Sequence, residues 1–408
     1  MFLDKFEKKN CCGCSACDHI CGRKAIQMQQ DDEGYKYPVV DKSKCVDCGM
    51  CEKVCPFMDN YVGIDASPDI YAVHNKNRDV VFQSSSGGMF SLLAEWIINQ
   101  GGSVYGVAFN DDYYVQHMKA TTMEDAARFR TSKYVESDVT KIYEEVKADV
   151  ASGNYVLFTG TPCQVSAMIK FLTLRRVNLD RFYTCDNICH GVPSPKVWKD
   201  YLDIVKDKYI SKEDKIAGIN MRSKKTSWKK QNMVIELEKG NIDEVINEFS
   251  FNQLFLSLYT NKPSCFSCRY TSYKRVADFT LGDFWNVENA GVTFDTEGGV
   301  NLVLVNTDKG KEVFDIIKEN VDYKAVTKEQ CWQPHLEYSA KAPAKQAEFW
   351  DEYNRTDDKE MVMRKYMKGS LVTRIIHRLT PIIRKIGLYK VAGKVYKRLI
   401  VRKKSNHE

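Results

Sequence analysis

Cys11, Cys14, Cys17 and Cys21 stand at the spacing C-x2-C-x2-C-x3-C, and Cys45, Cys48, Cys51 and Cys55 repeat it, the second copy followed by Pro56. No other feature restricts this chain as tightly, because thiolates that share one metal cluster fix the backbone between them. At such a spacing three thiolates wrap one face of an iron–sulfur cube, and the fourth, on the following helical turn, points across to a neighbouring cube. Cys11, Cys14, Cys17 and Cys55 are therefore expected to hold one [4Fe–4S] cluster, and Cys45, Cys48, Cys51 and Cys21 the second. Zinc is the competing ion, but its sites usually draw on two separated C-x2-C pairs. Cys12 falls outside both quartets and reads as a bystander thiol beside the first cluster. Two cubes in one module make an electron wire. One end meets a ferredoxin-like or other redox partner, and the other must lie in the rest of the chain.

The remaining cysteines are read in the same reducing context. No stretch reaches the about 18 apolar residues of a membrane span, and the opening MFLDKFEKKN has no apolar core of a signal peptide. A cytoplasmic location is expected, where 15 cysteines serve as metal ligands or redox groups rather than as disulfides. Residues 1–62 form a first domain, and about residues 8–60 of it resemble a bacterial two-cluster ferredoxin domain. Gly22 stands where the first repeat would usually have proline, which loosens the turn and removes no ligand.

From about residue 66 the texture alternates between strand and helix. IYAVHNK, GSVYGVAF, YVLFTG, KIAGINMR, MVIELEKG, ADFTLGDF and VNLVLVNT read as strands. GGMFSLLAEWIINQG, TKIYEEVKADVAS, PSPKVWKDYLDIVKDKY and GKEVFDIIKEN read as helices. The fold class expected is α+β or α/β: an α/β body over 66–340, with an internal boundary near 190–215, and a helical basic tail over 341–408.

Cys163, in YVLFTGTPCQ, follows a strand and the helix-starting pair Thr161-Pro162, so its thiol sits where free N–H groups and the helix dipole favour negative charge. Cys189 ends FYTCDNIC, and Cys265 and Cys268 form a C-x2-C. These four make a plausible ligand set for a third cluster, with Cys185 competing with Cys189 for its place. A reactive thiol at Cys163 beside a zinc-binding or redox-active C-x2-C is the open alternative. Cys331 has no ligand spacing and reads as packing. Ser84, Ser85, Ser86, Gly87 and Gly88 directly precede a helix, so N–H groups and hydroxyls converge where a phosphate would bind. No G-x-G-x-x-G or G-x-x-x-x-G-K-[ST] accompanies them.

QSSSGG (83–88), SKYVES (132–137), GTPCQ (160–164), CHG (189–191), NMRSKKTSW (220–228), PSCFSC (263–268), ADFTLGDFW (277–285) and NLVLVNTDKGK (301–311) together resemble the family of coenzyme F420 hydrogenase/dehydrogenase beta subunits. The resemblance spans about residues 8–330, with the ferredoxin module as a fusion. It implies a flavin-binding body that holds FAD beside a third [4Fe–4S] cluster ligated by Cys163, Cys189, Cys265 and Cys268. Ser84, Ser85, Ser86, Gly87 and Gly88 would contact the flavin phosphates, and Lys133 and Arg222 would be cations near the flavin or its pyrophosphate. Lys133 and His190 are the candidate catalytic groups. Lys133 and Arg222 also read as surface charges, and His190 as a structural histidine. Asp278 and Asp283 would orient the C-x2-C loop or serve as turn and cap carboxylates.

The expected function is an iron–sulfur flavoprotein oxidoreductase that passes electrons between a ferredoxin-like partner and a small-molecule substrate. By the resemblance, that substrate is F420-like or a sugar intermediate of cell-surface polysaccharide biosynthesis. The alternative is an electron-transfer subunit of a larger complex with no substrate site of its own.

Charge adds one more expectation. Of the 60 Lys and Arg residues, 14 lie in 364–408 with one of the 54 acidic residues, so 46 basic residues face 53 acidic ones in the remainder. The tail's apolar residues recur at helical spacing, which reads as two basic amphipathic helices suited to an anionic membrane surface. No nucleic-acid-binding motif accompanies the charge.

Overall fold

The computed structural model describes residues 3, 6–58, 63–64, 67–225, 227–230, 232–242 and 249–367. The basic helices expected over 364–408 lie almost wholly outside the described residues.

The N-terminal module is built as a repeat. Helices Ala16–Ile20 and Met50–Val54 carry Cys17 and Cys51 and pack on each other, beside an antiparallel hairpin of β1 (Ile26–Gln30) and β2 (Lys36–Val40). The backbone turns left-handed at Gly13 and Ser15, and again at the equivalent Asp47 and Gly49. Those paired left-handed residues fold each cysteine loop back over its own thiols, a conformation that costs a non-glycine residue such as Ser15 some strain.

The body is organised on an eight-stranded mixed sheet. Its strands are β3 (Asp69–Asn75), β4 (Ser103–Phe109), β5 (Val115–Ala120), β6 (Val156–Gly160), β7 (Phe182–Asn187), β11 (Phe279–Asp283), β12 (Asn301–Val305) and β13 (Val321–Ala325), in the order β13-β3-β12-β11-β7-β6-β4-β5. β11, β7, β6 and β4 run parallel, and the pairs at both flanks are antiparallel. Helices cover the sheet because their apolar residues recur at i, i+3 and i+4: helix Met89–Asn99 buries Met89, Leu92, Leu93 and Ile97. The expected strands and helices of the body are all present, and the large mixed sheet makes it an α/β assembly.

Helix Pro195–Tyr209 leads into a separate antiparallel sheet of β8 (Ile216–Ser223), β9 (Asn232–Leu237) and β10 (Gly240–Asn241), after which β11 returns to the main sheet. Helices Gln346–Arg355 and Lys359–Tyr366 bury Phe349, Trp350, Tyr353, Val362 and Met363 in one apolar cluster with Trp198, Tyr201 and Phe251. Residues 346–366 are thus packed within the body, because their aromatic side chains fall on one helical face.

The ferredoxin-like module is packed against the body in the same way. Tyr35 and Tyr37 join that cluster, while Cys14, Ala16, Ile20 and Val54 join a second one with Tyr143, Phe158 and Phe171. Buried tyrosines of the body donate to the module's backbone: the Tyr143 hydroxyl to the Cys14 carbonyl at 2.7 Å and the Tyr270 hydroxyl to the Pro56 carbonyl at 2.8 Å.

Candidate functional site

The parallel strands β6, β7 and β11 release their carboxyl ends at one place, the position where open α/β sheets bind ligands. β6 ends in Gly160, and Thr161 then starts helix Pro162–Leu174 with a capping box: Gln164 Oε1 accepts from the Thr161 N–H at 3.1 Å, and Pro162 occupies the first turn. Cys163 is held in that turn with Thr161 Oγ1 3.2 Å from its sulfur. β7 runs out into Cys189, whose sulfur accepts from the Gly191 N–H at 3.4 Å. Cys265 lies in the short helical turn Pro263–Ser267, and Cys268 follows it directly.

Cys163, Cys189, Cys265 and Cys268 line one cavity, together with Cys12, Glu136 and Lys262. Cys185 is not on that wall. It pairs within the sheet opposite Thr159 and Phe279, belongs to the buried core with Phe279, and lines a larger cavity alongside. Burial pushes the Cys189 thiol up to about 12 and the Cys268 thiol to about 11. The Cys163 thiol is held below its ordinary value, first by the hydrogen bond from Cys12. Four sulfurs lining one small cavity fit the donor set of an iron–sulfur cube.

The first ferredoxin quartet shows the same arrangement. Cys11, Cys14, Cys17 and Cys55 line a cavity, again with Cys12. Cys12, read from the sequence as a bystander, therefore stands in the wall between two thiol chambers. In the second quartet the Cys21 sulfur accepts from the Ala25 N–H at 3.3 Å and the Cys45 sulfur from the Asp47 N–H at 3.4 Å. Cys48 is exposed and Cys51 buried. Among the described residues no three His, Cys, Asp or Glu side chains converge closely enough for a single metal ion. The first quartet and the body thiols ring chambers instead.

A larger cavity of about 310 Å3 opens beside the body chamber, and Cys189, His190 and Gly191 line both. Ser84, Ser85, Ser86, Gly88 and Lys133 are on its wall; Gly87 and Arg222 are not. The hydroxyls of Ser84 and Ser86 turn back to the carbonyls of Val80 and Val300, each at 2.7 Å, while Ser85 Oγ accepts from the Ser132 N–H at 2.8 Å. A Cβ on Gly87 would stand 2.4 Å from the Val73 carbonyl, so this glycine lets the loop lie against β3. The Met89 N–H at the head of the helix is taken by Asn301 Oδ1 at 3.0 Å.

Lys133 Nζ donates to the carbonyls of Arg128 and Arg130 at 2.6 and 2.7 Å, and burial lowers its ordinary value to about 7. Arg222 is buried behind the wall, 2.8 Å from Asp283, its guanidinium 4.9 Å above the Trp285 ring; Asp283 and Trp285 are the cavity's own lining. Asp278 accepts from the Thr184 N–H and hydroxyl, both at 2.8 Å, and from the Thr307 hydroxyl at 2.7 Å, which ties β7 to the helix after β12. The C-x2-C loop is held instead by Arg275, which donates to the Tyr270 carbonyl at 2.7 Å and pairs with the buried Asp186 at 3.0 Å. His190 faces His335 with ring centroids 4.2 Å apart, and burial lowers its ordinary value to about 4, so the imidazole is neutral near pH 7.

Sequence reading missed Lys224, which backs the serine loop by donating to the carbonyls of Val81 and Ser86 at 2.6 and 2.7 Å. It also missed Glu136 and Lys262. The signal for Lys224 was its place in NMRSKKTSW and for Glu136 its place in SKYVES, while Lys262 directly precedes PSCFSC.

Residues 10–58 match the 4Fe-4S dicluster domain, and residues 153–330 match the C terminus of the coenzyme F420 hydrogenase/dehydrogenase beta subunit. An F(420)H(2) dehydrogenase subunit of Methanosarcina mazei is 22% identical over 325 residues, covering 76% of this chain and 83% of that one. A chain of the F420-reducing [NiFe] hydrogenase complex of Methanosarcina barkeri superposes with a TM-score of 0.44 at 16% identity, over 66% of this chain and 84% of that one.

Proposed function

Since residues 10–58 form a 4Fe-4S dicluster domain and residues 153–330 the C-terminal domain of the coenzyme F420 hydrogenase/dehydrogenase beta subunit, we propose that this iron–sulfur protein is an electron-transfer subunit of a larger redox complex. Electrons would enter or leave through the second quartet, cross to the first, pass to a third cluster on Cys163, Cys189, Cys265 and Cys268, and reach FAD in the 310 Å3 cavity. The observation that carries this reading is the shared walls. Cys12 belongs to the chambers of both the first quartet and the body thiols, and Cys189 to both the body chamber and the large cavity.

Bound FAD supplies the exchange between single electrons and two-electron hydride chemistry. The chain's part is to bind and orient it. Lys133, Ser85 and Gly88 line the part of the cavity where a phosphate would bind, and Trp285 and Phe129 add apolar wall. Arg222 acts at one remove, fixing Asp283 and Trp285 from behind. The neutral His190 has no proton to give near pH 7 beyond its single ring N–H. The relative from Methanosarcina mazei is by its name one subunit of a dehydrogenase, which supports partner subunits here.

Anaerobic purification with iron count, EPR spectrum and flavin extraction tests the reading. Full iron for three clusters and one FAD per chain is expected. Iron for two clusters only would remove the body cluster, and absence of FAD would remove the terminal acceptor.

A second reading, an enzyme with its own small-molecule substrate, draws on the polar groups that converge in the same cavity, Ser132, Gln164, Asn301 and Gln333. Turnover of the isolated chain with F420 or a nucleotide sugar and reduced ferredoxin would establish it; a chain active only within a complex would exclude it. Among the described residues no helix is long and apolar enough to cross a membrane. Peripheral attachment through the tail is part of the proposal. Removing residues 368–408 leaves helix Lys359–Tyr366 whole, and should shift the protein from the membrane fraction to the supernatant.

A further inference from the structure

Lys262 Nζ lies 2.6 Å from Glu136 Oε1, with the lysine side chain 1% exposed and the glutamate 13%. The ammonium is also held 4.9 and 5.0 Å from the ring centroids of Tyr35 and Tyr37. Both members of the pair line the chamber of Cys163, Cys189, Cys265 and Cys268. On its other side the pair meets the loop of the first ferredoxin quartet: a Cβ on Gly13 would stand 2.2 Å from Lys262 Nζ and 3.1 Å from Glu136 Oε1. One buried positive charge therefore touches the backbone between Cys11 and Cys14 and opens on the chamber of the body thiols.

The direction of its field is set by the geometry of the pair. The ammonium is the end of the pair nearer the loop between Cys11 and Cys14, since the Gly13 Cβ position lies 2.2 Å from Lys262 Nζ and 3.1 Å from Glu136 Oε1. As a stabilising contact such a pair counts for little, because desolvation cancels much of the Coulomb gain. As a source of field it is strong, because little water screens it. A cluster becomes one unit more negative when it takes up an electron, so a fixed positive charge beside it raises its reduction potential.

We propose that Lys262, oriented by Glu136, Tyr35 and Tyr37, is a potential-setting residue shared by the cluster on Cys11, Cys14, Cys17 and Cys55 and the cluster on Cys163, Cys189, Cys265 and Cys268. The transfer it governs is one electron leaving the first cluster as it arrives on the second, with no proton or bond exchanged. The cluster on Cys21, Cys45, Cys48 and Cys51 serves as the internal reference. The proposal rests on the reading of the thiol chambers as cluster sites, and iron content, measured before any titration, tests that reading separately.

The experiment is an EPR-monitored redox titration of the anaerobically purified full chain, with signals assigned from those lost in Cys17→Ala and Cys265→Ala. In the double variant Lys262→Met/Glu136→Gln two of the three midpoint potentials should fall by about 59 mV or more, a tenfold drop in the reduced-to-oxidised ratio for a one-electron couple. The reference cluster should stay in place, and Lys262→Arg should keep all three near the wild-type values. Where the double variant loses iron, Lys262→Gln, which keeps a donor on Glu136, should give the same pattern. With iron retained, three unmoved potentials would overturn the proposal, as would an equal shift of all three. Loss of iron in every Lys262 variant, the arginine included, would make the residue structural and overturn it as well.

Discussion

The Tyr35 hydroxyl donates to the Thr260 carbonyl at 2.5 Å and lies 3.1 Å from the Val192 carbonyl, joining the hairpin of the ferredoxin-like module to the two loops that carry Cys265 and Cys189. The ring above it is fully buried. A redox module and the body it feeds are thus locked in register by a side chain next to the charge that both share. Their relative placement is fixed by this packing.

Tyr35→Phe removes the hydroxyl, while the Thr260 and Val192 carbonyls keep their backbone donors, the Ser194 N–H at 2.9 Å and the Lys262 N–H at 3.1 Å. Loss of about 0.5–1.5 kcal/mol in unfolding free energy is expected from the lost hydrogen bond, read from the urea midpoint of the iron-loaded chain. An unchanged midpoint would show that the contact contributes nothing to the docking.

Cys189→Ser should remove the iron of one cluster per chain and leave the ferredoxin signals intact, while Cys185→Ser should keep the full iron content. The difference follows from place: Cys189 lines the chamber and Cys185 is a core residue of β7. Iron analysis beside EPR decides it, and the opposite outcome would transfer the ligand role to Cys185.

Lys133 offers a pH-dependent test of the large cavity. Burial lowers its value from 10.5 to about 7, so between those limits the unfolded chain binds more protons than the folded one, and the stability of the cofactor-free protein rises with pH. A bound phosphate reverses the preference by favouring the ammonium. Flavin affinity should accordingly fall as pH rises above about 7, and Lys133→Met should weaken binding by about 1.5–3 kcal/mol and flatten that dependence. Flavin fluorescence on release measures both.

His117 sits between the Thr159 carbonyl and the Ser137 hydroxyl, each at 2.9 Å, and props the end of β6. Burial lowers its value from 6.5 to about 4. In that window the unfolded chain takes up the proton and the folded one does not, so stability is present above the window and is lost as pH falls through it, by about 3 kcal/mol in all. His117→Gln should flatten the loss, read from urea midpoints across the window.

What the chain determined by itself is what lies within a turn or two of helix or strand. The spacing of each quartet places three thiols on one loop, the Thr161-Pro162 pair starts the helix that holds Cys163, and the apolar periods mark the strands and helices of the sheet. Relations across the fold were a different matter. Glu136 and Lys262 are 126 residues apart in sequence, and no local period connects them; they meet because the sheet order brings the loop after β5 against the one before Cys265. Arg222 looked like a cofactor cation because its charge was visible and its partner Asp283, on a strand of another sheet, was not. Which of Cys185 and Cys189 lines the small thiol chamber turned on where β7 ends, since Cys185 is held inside the strand and Cys189 lies beyond it. Short-range order is written in covalent spacing and side-chain period. Which charge faces which thiol is decided only when non-local strands pair and the loops at their carboxyl ends are forced together.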